Sequence, residues 1–154
     1  MNKISFLLLT AVVVLAVACQ NTASTDKPGK TKADTLGAQI EDEHMVGMGK
    51  MGQLTKAQQK LNYLLDSISK LPAKAQAAAA PYKAKLSGLL DELNSANTSM
   101  ESWMHNFKWD WDSVYKNTED KIHYLEPEKE KAIKVKDAVV SSLEKADSVL
   151  RSKF

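Results

Sequence analysis

Residues 86–107, LSGLLDELNSANTSMESWMHNF, decide the fold class. Leu86, Leu89, Leu93, Ala96, Met100, Trp103 and Phe107 fall on alternating steps of three and four. An α-helix with 3.6 residues per turn gathers such positions on one face, and a seam of this kind packs against other helices. Upstream, Met48, Met51, Leu54, Leu61, Leu64, Leu65, Ile68 and Leu71 share a broader face. Pro72 ends that segment, because proline has no N–H to continue the helical ladder. Downstream, Ala132, Ile133, Val135, Val139, Val140, Leu143, Ala146, Val149 and Leu150 mark the buried side of a third helix. None of these segments alternates in the way strands require. The reading is all-α: three long helices with short connections, forming an up-down-up antiparallel bundle.

Proline and glycine leave some boundaries open. The third helix either begins at Pro127, with Glu126, Glu128 and Glu130 favouring the positive end of its dipole, or starts at an Asn117 or Thr118 cap as a longer helix that kinks at the proline. The Ala-rich stretch 73–80 lies between Pro72 and Pro81 and reads as a connection, or as a short helix of its own. Gly47, Gly49 and Gly52 each cost a helix up to about 1 kcal/mol relative to alanine. Either the first turns fray there, or a neighbouring helix comes close.

The N-terminus carries a location signal. Lys3 precedes an apolar run from Ile4 to Val17, which ends in Leu15-Ala16-Val17-Ala18-Cys19 with the chain's single cysteine. The run falls short of the roughly 20 residues that span a bilayer, and its layout is that of a cleaved signal. The segment resembles a lipobox, with Ala16 where leucine is favoured. That resemblance implies a signal peptide at 1–18, and Cys19 as the lipidated first residue of the mature chain. Several acyl chains at about 0.8 kcal/mol per buried methylene hold a protein firmly on a membrane. Residues 19–35, short of large apolar side chains, are expected to form a flexible tether spanning roughly 20 Å, ahead of a bundle domain at 36–154. Gln20 in place of an aspartate points to the outer membrane, facing the periplasm.

Charge narrows the partners. The chain has 21 basic and 19 acidic groups, and cleavage after residue 18 removes only Lys3. Near-neutrality argues against nucleic acid, which demands a basic face, and against electrostatic docking to anionic lipid. With Cys19 acylated no disulfide can form, so stability rests on an apolar core.

One constellation points to chemistry. On a helix, His44, Met48 and Met51 share a face, and Met100 and Met104 lie four apart on the next. A turn centred near Gln76 would set residue 48 opposite about 104 and residue 51 opposite about 101. Four thioethers and one imidazole would then form a Cu(I) site, because soft donors select Cu(I) over harder ions. The competing reading makes these methionines core filler beside Trp103 and Phe107. His105 falls on the solvated side of its helix, and His123 is isolated. A b-type haem needs a wider cavity than three helices provide, and a c-type attachment motif is absent. Nucleophile elbow, phosphate loop and zinc-protease motifs are also missing, so no enzyme is expected. Trp109 and Trp111 alternate with Asp110 and Asp112; these tryptophans either close the bundle end or offer an aromatic surface to a protein partner.

The pattern His44-x-x-x-Met48-x-x-Met51-Gly52, Met100-x-x-Trp103-Met104-His105-x-Phe107, Tyr124-Leu125-Glu126 and a final Ser-Leu-Glu-Lys-Ala resembles a group of small Bacteroidota-type helical lipoproteins, some labelled viral A-type inclusion protein. The similarity runs from about Ile40 to Leu150. It departs at Met45-Val46, where the group tends to have Asp-Glu, and at Gly49, where it tends to have proline. The resemblance implies an envelope lipoprotein of helical fold and carries no assigned activity. The expectation is therefore a membrane-anchored, non-enzymatic bundle for protein interaction or structural support, with a Cu(I)-binding protein as the alternative.

Overall fold

A computed structural model describes residues 29–151; the signal segment and Cys19 lie outside the described residues. All regular structure within them is helical: α1 (Lys32–Ser69), α2 (Ala73–Asn106), the single turn α3 (Trp111–Val114) and α4 (Thr118–Arg151). α1, α2 and α4 each pack on the other two.

α1 opens at Lys32, inside the stretch expected to be tether. The cause is a reciprocal cap: the Asp34 N–H donates to Thr31 Oγ1 at 3.1 Å, and the Thr31 N–H donates to Asp34 Oδ2 at 2.9 Å. Together they satisfy two backbone donors that a helix start would otherwise leave unpaired. Ala33 and Leu36 then reach the core, which composition alone could not reveal.

The first turn of the bundle is tighter than expected. α1 ends at Ser69 and α2 begins at Ala73. Gln76, expected at the centre of the turn, instead sits in α2 and donates from Nε2 to the carbonyls of Ser69 and Leu71 at 2.9 and 2.7 Å, serving the open C-terminus of α1. The Ala-rich stretch is thus the start of α2 and not a separate connection. Pro81 sits within this helix. It denies the Ala77 carbonyl its usual partner, but both residues are exposed, so water can take that place. α4 likewise runs through Pro127. Asn117 Oδ1 accepts from the Asp120 N–H at 2.8 Å, which fixes the longer of the two expected helices.

The seam read in residues 86–107 is buried at all of its positions. Leu54 and Leu61 of α1 and Leu125, Ala132, Val139 and Ala146 of α4 complete the interior. The face expected on α1 is displaced at its ends: Met48 and Leu71 are exposed, and Leu36 and Ile40 supply core further upstream. Gly47 is where helices approach closely, because a Cβ there would lie 2.3 Å from Met100 Cε and 3.6 Å from Lys136 Cα. Beside it, the Lys136 ammonium bridges to Glu43 at 3.1 Å. Gly49 and Gly52 face open space.

Other side-chain pairs set the register. Gln58 Nε2 donates to Asn94 Oδ1 at 2.9 Å, Lys145 meets Glu92 at 2.6 Å, and Lys32 meets Glu126 at 2.6 Å. Exposed pairs like the two ion pairs contribute at most about 1 kcal/mol each and act mainly as markers of alignment.

Candidate functional site

The chain leaving α2 turns back over the bundle end and lays one ring against the next. Trp103 and Phe107 have centroids 5.3 Å apart, and Trp109 meets Phe107 edge-on at 4.8 Å. Tyr124 of α4 lies 6.0 Å from Phe107 and stacks with Tyr115 at 4.9 Å. Such pairs contribute about 0.5–1.5 kcal/mol each beyond their buried area. Polar edges are also matched. The Lys108 N–H donates to Tyr124 Oη at 2.8 Å, and the Lys108 ammonium lies 5.3 Å from the Tyr115 ring. Burial pushes the Tyr124 phenol above its ordinary pKa, against the opposing pull of the Lys108 N–H.

Trp103 is held from a second side. Its Nε1 donates to Glu128 Oε2 at 3.2 Å, and Glu128 Oε1 accepts from Lys131 Nζ at 2.6 Å. Glu128 is only 9% exposed. At the sequence level it counted as one of several acids near a helix start. The signal that would have found it is its spacing: three residues after Leu125 and four before Ala132, it falls on the buried face.

The two tryptophans of the Trp-Asp-Trp-Asp run have different roles. Trp111 is half-buried against α1, where a Cβ on Gly37 would come within 2.6 Å of its Cζ2. It therefore closes the bundle end, and only Trp109 keeps the character of a surface. Trp109 is 53% exposed, yet it is pinned by a 3.1 Å hydrogen bond from Nε1 to the Met104 carbonyl.

His44 projects from α1 into this cluster. Its ring lies 5.1 Å from Trp109 and 5.6 Å from Trp103, and its Nε2 meets Met104 Sδ at 3.0 Å. Burial holds its pKa below the usual histidine value, against the nearby Glu41 charge. Residue 44, rather than 48, lies opposite 104. At this end the pairing differs from expectation by about one helical turn, whereas Gln58 still meets Asn94, the pairing that the expected register gives. Of the five expected donors, His44 and Met104 meet directly. Met100 is fully buried against Gly47, Met51 packs partly buried on the core, and Met48 is 37% exposed. His105 and His123 are exposed. Among the described residues, no group of three or more His, Cys, Asp or Glu side chains is placed to hold a metal ion. No helix among them is long and apolar enough to cross a membrane.

No protein-family model matches the chain, and neither the curated proteins nor the solved structures include a significant match to it.

Proposed function

We propose that this chain is a non-enzymatic envelope lipoprotein. In this reading the signal segment 1–18 is removed, and lipidated Cys19 holds the protein on the outer membrane, facing the periplasm. The helices form an up-down-up antiparallel bundle whose aromatic end binds a protein partner or braces an assembly. The pairings Gln58 with Asn94 and His44 with Met104 support the antiparallel course of α1 and α2, and those of Glu92 with Lys145 and Trp103 with Glu128 that of α2 and α4. The resemblance to small helical lipoproteins agrees with this reading.

The observation that carries the proposal is Trp109. It is a large aromatic side chain, more than half exposed, immobilised by a hydrogen bond and by neighbouring rings. A side chain already fixed loses little freedom on binding, and buried tryptophans dominate many interfaces. Its position also bears on where such a partner would sit. Lys32 reaches Glu126, and Gly37 lies under Trp111, so α1 begins at the aromatic end. Residues 20–30 would then tether that end within roughly 20 Å of the membrane, and the partner is a protein in or on the same membrane.

Photocrosslinking in living cells tests this, with benzoylphenylalanine at position 109 and, as a control at the far end, at position 74. A discrete adduct from 109 and none from 74 is the expected result. No adduct from 109, or equal adducts from both positions, would overturn the proposal.

A further inference from the structure

Independently of any protein partner, we propose that His44 and Met104 form a binding site for a soft monovalent metal ion, Cu(I), walled by the rings of Trp103 and Trp109. The two donors come from different helices and already touch, with Nε2 and Sδ 3.0 Å apart. Nitrogen and sulfur donors sit about 2.0–2.3 Å from a bound transition metal. An ion between them therefore holds the two atoms no more than about 4.3 Å apart, which is the sum of two such bonds. The Met104 side chain, unbranched and flexible, is the element that would withdraw from 3.0 Å to that range as an ion enters.

Donor chemistry selects the ion. A thioether and one neutral imidazole suit a soft ion that accepts low coordination, and the absence of a His, Cys, Asp or Glu cluster among the described residues removes what Zn(II) would need. The walls fit a cation as well. Indole centroids lie 5.1 and 5.6 Å from the His44 ring, and an indole face attracts positive charge through its quadrupole. Access is open on one side, because Trp109 is more than half exposed and both His44 and Met104 are only partly buried. The site differs from the five-donor set read in the sequence: Met51 and Met100 belong to the packing, and Met48 points to solvent well enough to be dispensable.

The test is a Cu(I) titration of the protein extracted from membranes in detergent, kept reduced with ascorbate, against a competing chromogenic chelator, with tryptophan fluorescence as the second signal. One equivalent of Cu(I) taken from the chelator, with quenching of the tryptophans, is expected. Met104→Leu and His44→Gln should each weaken binding by about 100-fold or more, at least the loss typical for groups that only support a ligand. Met48→Leu should leave it within a few-fold of the parent. Retention of all Cu(I) by the chelator, or equal affinity in Met104→Leu, would overturn the proposal. Because either substitution could disturb the fold, the unmodified protein supplies a check by nuclear magnetic resonance. The His44 ring and Met104 methyl signals must shift on adding one equivalent, and shifts confined to other methionines would refute the site.

Discussion

Replacing three glycines of α1 with alanine, one at a time, should give changes of opposite sign. Gly49 and Gly52 face open space, so a new methyl group meets nothing within 4 Å. Alanine should stabilise each position by about 0.8–1.0 kcal/mol, the difference in helix propensity. For a chain of this size that raises the melting temperature by roughly 4 °C. At Gly47 the same gain is opposed by the new Cβ, which would lie 2.3 Å from Met100 Cε. The Met100 methyl is the end of a flexible chain, but its side chain is fully buried between helices, so it has little room to withdraw. Overpacking of this kind costs about 1–3 kcal/mol. Gly47→Ala should therefore range from neutral to about 2 kcal/mol destabilising. Shortening Met100 to alanine itself costs about 2–5 kcal/mol, yet in that background Gly47→Ala should recover its propensity gain, a coupling of roughly 1–3 kcal/mol. Thermal and urea unfolding followed by circular dichroism give all the values. If Gly47→Ala stabilises as much as Gly49→Ala in the parent protein, the close approach of Met100 to α1 is wrong.

Two further outcomes concern the aromatic end. Glu128→Ala leaves the buried Trp103 Nε1–H without its acceptor, at a cost of about 1–3 kcal/mol in urea unfolding, whereas Glu128→Gln keeps an acceptor oxygen and should lose less. An equal loss in both variants would mean the carboxylate charge matters and not the hydrogen bond. Tyr124 has a phenol pKa raised above the ordinary value by burial. The unfolded chain therefore releases that proton first, so the group's contribution to stability is complete below about pH 10 and falls as pH rises through the folded value. Tyrosinate absorbance should show one late-titrating tyrosine, missing in Tyr124→Phe; its persistence in that variant would refute the assignment.

Much of the fold was legible because one physical signal dominated it. The seam from Leu86 to Phe107 keeps strict three-and-four spacing, and burial of every position follows from helical geometry. The α1–α2 connection was not legible, because proline at both ends of an Ala-rich run reads as punctuation. Only the structure places Pro81 on an exposed face, where a freed carbonyl is cheap to leave to water. The site was only partly legible: Gln58 meets Asn94 as the expected register requires, but His44, one turn before Met48, is the residue that meets Met104, although both were named. The contacts of Trp111 with Gly37 and of Trp103 with Glu128 join segments far apart in the chain. Periodicity within one helix can mark Glu128 as inward-facing but cannot name its partner.

The most direct measurement compares the crosslink from position 109 in cells carrying Cys19 with that in cells carrying Cys19→Ser. If the tether enters at the aromatic end and sets Trp109 against a membrane-held partner, the adduct should form with Cys19 and disappear with Cys19→Ser, while the exported chain itself remains folded. An adduct of equal yield without the cysteine, or none with it, would contradict the placement of this bundle at a membrane through its aromatic end.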